Sequence, residues 1–365
     1  MQETLGRAYR LLSRPKRRER VRAYLNARKY PINRQLLADE LSSEAPQVRS
    51  HPIYLYLDPA TACNLRCPFC PTGNGASEID KEILTRENFY KIVSNLKVHL
   101  LEKVCLYNWG EPFLNKHLTE FISYFSERGR PTTISTNFCV QEYDEAFLEK
   151  LVRSGLTDMD VSIDGASQET YGRYRIRGDF KRIIRNMKRL NEVKKSLGSE
   201  TPLVRYKMLL NKINQHEVEK ARRIAGECGA EFSLPEHFWC PEELRDEWVA
   251  DSVREAYGDL APTSISMTRT QTMHTECRQL WDTVLVGANG DVYPCCIVFK
   301  ASQKVGNLTE QHIDTIRNNY MMRKMREYVC DPDAPQLDFN NHCDGCTNRY
   351  CTHDVRAEES SASPV

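Results

Sequence analysis

The sequence has 365 residues, of which 40% are hydrophobic and 28% are charged. Its net charge of +1 gives no sign of a strongly charged partner, and no nucleic acid is expected to bind. No apolar stretch is long enough to span a membrane, and no apolar segment follows the basic N-terminus as it would in a secretory signal. These features favour a globular protein of the cytoplasm.

Fourteen cysteines are the distinctive feature of the composition. Several occur in C-x-x-C spacings, which in a chain without an export signal are more typical of metal ligation than of disulfides. Three others, Cys105, Cys139 and Cys228, lie in strand-like or helix-like runs and are expected to be ordinary buried thiols.

Residues 1–50 are expected to form a basic helical N-terminal extension. Between Met1 and Arg34 there are eleven lysines and arginines against two acidic residues, with apolar residues interleaved. Such helices either present a surface to an anionic lipid or substrate, or pack on the outside of the main domain. The second interpretation is favoured.

Residues 51–235 alternate between strand-like and helix-like segments, as parallel βα units do. Six units are too few to close an eight-stranded barrel, so we predict an α/β fold with a partial (β/α)6 TIM-like barrel, in which reactive groups gather at the carboxyl ends of the strands. The predicted strands are Ile53–Leu57, Lys103–Tyr107, Thr132–Thr136, Met159–Ile163, Val204–Leu210 and Glu231–Leu234. The helices expected between them are Arg86–Leu101, Leu118–Arg128, Glu145–Ser154, Phe180–Leu197 and Gln215–Cys228.

The rest of the chain divides into three segments. Residues 236–269 are polar and predict a connector. Residues 270–351 are rich in cysteines and turns but poor in apolar material, so a bound metal is expected to stabilise this small domain. Residues 352–365 are acidic and serine-rich and predict a disordered tail.

A C-x3-C-x2-C loop follows the first predicted strand and contains the first cysteine group, Cys63, Cys67 and Cys70. Three thiolates satisfy three irons of a [4Fe–4S] cluster and leave the fourth iron open. An open metal position is where chemistry occurs, as it is at catalytic zinc. Structural zinc and disulfides are weaker alternatives, because zinc lacks a fourth ligand here and disulfide pairing leaves one cysteine over.

This loop resembles the signature of the radical S-adenosylmethionine (SAM) superfamily, which has an aromatic residue before the third cysteine, here Phe69. The resemblance implies that the open iron binds SAM and that one electron cleaves it to methionine and a 5′-deoxyadenosyl radical. It also implies that the protein positions the reactants and excludes water, while the radical chemistry belongs to the cofactor.

Four further segments, in chain order, resemble the SAM-binding loops of that family. Residues 107–112 resemble its GGEP segment, with Trp109 in place of the first glycine, which implies that Glu111 accepts from the SAM amino group. The later segments resemble loops that contact the ribose and carboxylate of SAM, although each alone would be an ordinary polar loop or helix cap. The implied SAM-binding residues are Phe69, Trp109, Gly110, Glu111, Pro112, Ser135, Asn137, Ser162, Asp164 and Arg177.

The second cysteine group consists of Cys277, Cys295, Cys343 and Cys346. A turn at residues 289–290 predicts a hairpin that brings the first two of these cysteines to one end, and the last two form a C-x2-C pair. Zinc bound by four thiolates fits this spacing when it is considered alone.

The spacing of the second cysteine group resembles the auxiliary iron–sulfur domains called SPASM and, in shortened form, Twitch. The shortened form implies one auxiliary [4Fe–4S] cluster bound by these four cysteines. Cys296, Cys330 and Cys351 are then spare thiols, and a further cluster that uses Cys330 and Cys351 stays open as an alternative.

An auxiliary cluster near the substrate suggests that the substrate radical loses an electron to it, which completes a two-electron oxidation. The cysteine spacing resembles Twitch members such as an aminocyclitol dehydrogenase, which implies oxidation or epimerisation of a small carbohydrate or cyclitol. Modification of a ribosomal peptide is an open alternative. A non-catalytic iron–sulfur carrier or zinc scaffold is a remote one.

No motif identifies the general base. Glu236 and His237 follow the sixth predicted strand, at the expected mouth of the barrel. They are candidates for contact with the substrate or for proton transfer, although a connector with incidental polar residues fits this segment equally. The resemblance further implies an external one-electron reductant such as flavodoxin or ferredoxin.

Overall fold

The computed structural model describes residues 30–235, 240–257, 277–331 and 333–346. Its strands are β1 Tyr54–Leu57, β2 Lys103–Cys105, β3 Thr132–Thr136, β4 Asp158–Ser162, β5 Leu203–Lys207, β6 Glu231–Ser233, β7 Thr283–Val286, β8 Asp291–Tyr293 and β9 Gly306–Asn307. They form one nine-stranded sheet in the order β6-β5-β4-β3-β2-β1-β7-β8-β9.

The six strands predicted for residues 51–235 are present as β1 to β6. Each begins within one residue of its predicted start and pairs in parallel with its neighbours in chain order. The sheet is open, and helices lie between its parallel strands. The predicted partial barrel is therefore confirmed.

Amphipathic helices follow the parallel strands and pack with them in a single core. Several begin at a side-chain cap: Thr85 accepts from the backbone N–H of Asn88, and Asp144 accepts from that of Phe147. The helices are α1 Tyr30–Ser42, α2 Pro71–Asn74, α3 Arg86–Ser94, α4 Leu118–Ser126, α5 Glu145–Arg153, α6 Gln168–Tyr174, α7 Phe180–Ser196, α8 Val218–Glu227, α9 Arg245–Trp248, α10 Asp251–Tyr257, α11 Gln279–Asp282, α12 Ile313–Arg317 and α13 Tyr320–Cys330.

Alternation along the strands gives the sheet an apolar face and a more polar face. Leu55 and Leu57 of β1 are fully buried in the core that the helices share. The intervening Tyr56 pairs with Cys105 of β2, so both side chains lie on the opposite face, which lines the inside of the barrel. The site described below therefore draws its residues from this second face and from the loops above it.

The C-terminal region extends the barrel sheet. The hairpin predicted at residues 289–290 is confirmed, since β7 and β8 pair in antiparallel fashion and Gly290 turns the chain with φ of 90°. In addition, β7 pairs in parallel with β1. The sequence predicted a small separate domain here and did not reveal that its first strand continues the sheet.

Buried arginines connect the C-terminal region to the chain that precedes β1. Arg326 donates to the carbonyl oxygens of Pro46 and Leu280 at 2.9 Å, and the indole of Trp281 donates to Ala45 at 3.0 Å. Such bonds are required because a buried charged group without partners is costly. Within the expected N-terminal extension, α1 lies next to α11, whereas residues 1–29 lie outside the described residues.

Among the described residues, no helix combines the length and the apolar composition needed to cross a membrane.

Candidate active site

The first cysteine group lies in the loop after β1, and its three thiols line one cavity at the carboxyl ends of the strands. Cys70 is the N-cap residue of α2, and its backbone N–H donates to the carbonyl of Cys67 at 3.2 Å. A Cβ atom at Gly73 would lie 2.6 Å from the backbone of Cys67, so only glycine allows this close packing. Close backbone packing therefore helps to hold the loop in place.

Burial and nearby donors set the chemistry of these thiols. Burial raises the pKa of Cys63 to about 12 and also raises that of Cys67, while the Arg175 guanidinium acts in the opposite direction on Cys67. The Cys63 sulfur accepts from Leu65 N–H at 3.4 Å and from the Asn137 amide at 3.8 Å.

Three thiols that line one cavity, with N–H donors to the sulfurs of Cys63 and Cys67, fit an iron–sulfur cluster, whose properties depend on such hydrogen bonds. Because thiols with raised pKa values must lose their protons to bind metal, loading the cluster would release protons.

Glu111 lies beside the three thiols, in the loop after β2. Its carboxylate is buried and accepts from the Thr136 hydroxyl at 2.6 Å and from the backbone N–H groups of Asn137 at 2.7 Å and Phe113 at 3.1 Å. Burial raises the pKa of Glu111, while these three donors act to lower it. A carboxylate has about four acceptor positions, so three bonds leave room for one further donor from the cavity.

Asp58, a residue that no motif identified, is buried at the end of β1, and the backbone N–H groups of residues 108–110 act to lower its pKa. One of its carboxyl oxygens, Oδ1, is buried without a hydrogen-bond partner among the described residues. Desolvation nevertheless raises its pKa to about 7. Gly110 packs so tightly that a Cβ atom there would lie 1.6 Å from the carbonyl oxygen of Ala60. A carboxylate five residues before Cys63 is the only sequence signal that pointed to this role.

Trp109, which stands where the GGEP segment of the resembling family has its first glycine, lines the cavity and also contacts the C-terminal region. Its indole N–H donates to the carbonyl of Val298 at 2.8 Å, and its ring lies edge-on to Phe299 with centroids 6.0 Å apart. The SAM-type loop after β2 is thereby joined to the segment that follows Cys295. Pro112 is buried at the start of a short 3-10 helix and does not line the cavity.

Ser135, Asn137 and Ser162, which the sequence predicted to bind SAM, line the cavity, whereas Arg177 from the same prediction does not. Arg177 is exposed, with φ of 73°, and Arg175 lines the cavity instead. The physical reason is that α6 ends at Tyr174, so that Arg175 turns back toward the site before the chain reverses direction at Arg177. The Arg175 guanidinium lies 3.8 Å from the sulfur of Cys67.

Two other predicted residues support the cavity from outside. Asp164 is buried, accepts from Arg175 at 2.6 Å and from the backbone N–H of Leu209 at 2.7 Å, and does not line the cavity. Phe69 is buried against Tyr174 and Trp248, with ring centroids at 5.9 and 5.0 Å. Both residues position the loops that carry the cavity-lining groups.

The cysteines of the second group lie in one region of the fold. Burial and the proximity of Cys346 raise the pKa of Cys277 to about 11, and burial, Cys296, Cys277 and Cys343 raise that of Cys295. These thiols are therefore near one another, although among the described residues no three of them are close enough together to hold a metal ion as they stand. The donor set of four cysteines therefore fits an auxiliary iron–sulfur cluster.

The spare thiols lie in different places. Cys296 lies near Tyr56 and Cys105 of the barrel wall. Cys330, at the end of α13, packs against the main core. Cys351, Glu236 and His237 lie outside the described residues.

The fold and the site together define an open α/β barrel with a thiol-lined cavity and a cysteine-rich C-terminal extension. The radical SAM superfamily matches residues 57–223, and the iron–sulfur cluster-binding domain called SPASM matches residues 277–347. The chain carries a radical SAM domain and a C-terminal SPASM iron–sulfur cluster-binding domain. Its cofactors are accordingly a [4Fe–4S] cluster with SAM and an auxiliary iron–sulfur centre.

Relatives with curated names match part of the chain. Fe-coproporphyrin III synthase of Methanosarcina barkeri is 31% identical over 131 residues, which cover 36% of this chain and 32% of that protein. A probable GTP 3′,8-cyclase of Methanocaldococcus jannaschii is 28% identical over 184 residues, which cover 50% of this chain and 58% of that protein. The chain thus spans less than two thirds of either relative.

Among solved structures, SuiB of Streptococcus suis bound to SAM is similar, with a TM-score of 0.57 and 18% identity. The match covers 90% of this chain and 78% of that one. At this identity the similarity shows the shared fold.

Proposed function

We propose that this radical SAM enzyme abstracts a hydrogen atom from a small carbohydrate or cyclitol, which is then oxidised or epimerised. The observation that carries the proposal is the convergence in one cavity of the first cysteine group, the buried Glu111 carboxylate and the hydroxyls of Ser135 and Ser162. When bound, the cluster and SAM supply a 5′-deoxyadenosyl radical in this cavity.

The chain's own residues would orient SAM in the cavity. Glu111 has one acceptor position left, which suits the ammonium group of SAM. Ser135 and Ser162 suit the ribose, because hydroxyls both donate and accept hydrogen bonds. Arg175 takes the role that the sequence assigned to Arg177, since its guanidinium lies at the cavity and suits the SAM carboxylate.

The polar inner face of the barrel supports a polar substrate. Arg205 of β5 donates to Asp158 at 2.5 Å and to Asp160 at 3.1 Å, so charged groups face the barrel interior. Lys207 pairs with Ser162 in the sheet, so its side chain lies on the same face. Charged groups of this kind can also hydrogen-bond to sugar hydroxyls, which favours a polar substrate over an apolar one.

The second cysteine group supports the oxidation branch, because a fully ligated cluster has no open iron for SAM and suits electron transfer. Its role as electron acceptor is part of this proposal. Glu236 and His237 remain candidate proton acceptors.

The test is anaerobic incubation of the reconstituted full chain with SAM, titanium(III) citrate and separate panels of sugars, cyclitols and peptides. We expect one sugar or cyclitol to increase formation of 5′-deoxyadenosine and to give a product of equal mass or one that has lost two hydrogens, measured by mass spectrometry. A response to peptides alone would overturn the small-molecule proposal in favour of peptide modification.

A further inference from the structure

A thiol in the barrel wall lies between two tyrosines. Cys105 of β2 is only 3% exposed and pairs with Tyr56 of β1 in the sheet. Tyr107 follows two residues later, so its side chain lies on the same face as those of Cys105 and Tyr56. The two tyrosine rings are edge-on, with centroids 5.9 Å apart. The sequence predicted an ordinary buried thiol at Cys105, and the burial is confirmed, but its two tyrosine neighbours were not predicted.

This trio extends from the cavity to the C-terminal region. Tyr107 lines the cavity together with the first cysteine group. On the other side, Tyr56 lies near Cys296, and both pack against the cluster of Leu285, Tyr293 and Val298. The three side chains therefore lie between the cavity and the C-terminal region.

The groups that face the trio keep it protonated. Burial raises the pKa values of Cys105, Tyr56 and Tyr107, and among the other neighbours Asp160, Asp282 and Cys296 add to the effect. Lys103 opposes it at Cys105 and does not reverse it. A protonated thiol is a poor nucleophile, and a phenol that keeps its proton is a poor base. Both groups can still give up a hydrogen atom, because S–H and phenolic O–H bonds are weaker than most C–H bonds.

We propose that Tyr107 and Cys105 return a hydrogen atom to the substrate radical, so that the reaction ends in epimerisation. The proposal rests on the proposed function and selects one of its two branches. The Tyr107 O–H bond breaks and a new substrate C–H bond forms, which leaves a tyrosyl radical. The Cys105 S–H bond then breaks to restore Tyr107, and the resulting thiyl radical takes one electron from the external one-electron reductant and one proton from water.

The test needs no substrate. When SAM alone is cleaved, the 5′-deoxyadenosyl radical takes its hydrogen atom from a group in the cavity, and the isotope found in 5′-deoxyadenosine identifies that group. The reconstituted holoenzyme is exchanged into D2O, so that thiols and phenols carry deuterium, and is given SAM and titanium(III) citrate. We expect wild-type protein to form deuterium-labelled 5′-deoxyadenosine over many turnovers. Tyr107→Phe should lose the label from the first turnover onward.

Cys105→Ser should behave differently from Tyr107→Phe. The Cys105→Ser variant keeps Tyr107, so one labelled molecule of 5′-deoxyadenosine per chain should form. A tyrosyl radical should then accumulate, because no thiol restores Tyr107, and freeze-quench electron paramagnetic resonance would detect it. Cys228→Ser is the matched control, since this buried thiol lies at the end of α8 and outside the trio. Deuterium labelling of 5′-deoxyadenosine by this variant should equal that by wild type.

Equal labelling in wild type and Tyr107→Phe, with equal iron content and circular dichroism, would overturn the donor pair. In that case 5′-deoxyadenosine still forms, and the proposed function stands. Failure of wild-type protein to form any 5′-deoxyadenosine would instead overturn the proposed function itself.

Discussion

The two cysteine groups show two ways of building a metal site. The first group comes from one short loop, which close backbone packing at Gly73 and Gly110 holds in place. The second group comes from three separate parts of the chain, before β7, after β8 and in the turn after α13. Local backbone packing holds the loop of the first site, whereas the second site depends on separate segments that a bound metal would hold together.

The two cysteine groups are also expected to have different roles in the reaction. The first group opens onto a cavity with a buried carboxylate and an arginine, and three cysteines leave one iron free. The second group offers four cysteines and so leaves none free. We therefore expect loss of the first group to abolish the reaction and loss of the second to affect stability and later steps.

Replacing Cys63, Cys67 and Cys70 together with alanine is expected to have the largest effect. Formation of 5′-deoxyadenosine should fall below detection, because no site remains for the cluster that reacts with SAM. The fold should persist, since the backbone holds the loop. Circular dichroism and chromatographic assay of 5′-deoxyadenosine measure the two outcomes, and undiminished product would contradict the assignment of the loop.

Replacing Cys343 and Cys346 with serine tests the second group without touching β7, which pairs with β1. Formation of 5′-deoxyadenosine should stay within about twofold of wild type, because loss of the auxiliary metal unfolds a segment locally and leaves the barrel folded. Auxiliary iron should be lost, and thermal stability should fall. If 5′-deoxyadenosine vanishes while the barrel remains folded, the two groups do not divide the chemistry in this way.

Glu111→Gln should weaken SAM binding by about tenfold to a hundredfold, because it removes one charge-assisted contact. Anaerobic titration with SAM measures the affinity. Glu217→Gln is the matched control: Glu217 is also buried and accepts from the backbone N–H of Ala166 at 2.7 Å, but it does not line the cavity. An equal loss of affinity in both variants would mean that stability, and not contact with SAM, is responsible.

Asp58→Asn should have the smallest effect, visible as a change in pH dependence. Since burial raises the pKa of Asp58 to about 7, the folded protein holds a proton that the unfolded chain loses near pH 4. The free energy of unfolding should therefore fall as pH rises from about 4 to about 7, and the variant should lack this contribution. Thermal unfolding of both proteins across this range is the measurement, and parallel curves would contradict the raised pKa.

The sequence was informative where a motif is local and less so where partners are distant. The first cysteine group, Glu111 and the strand positions follow from patterns within a few residues. The placement of Arg175 at the cavity in place of Arg177 depends on where α6 ends, and the role of Asp58 depends on its proximity to a loop fifty residues away. Likewise, the pairing of β7 with β1 joins segments that no local periodicity connects.

The most direct test of the division between the two groups is electron paramagnetic resonance of the reduced, reconstituted protein before and after SAM is added. The account predicts two [4Fe–4S] signals, of which SAM changes one and leaves the other unaltered. Loss of the SAM-sensitive signal in the variant without the first cysteine group would identify it. A single signal, or two signals that both ignore SAM, would contradict the account.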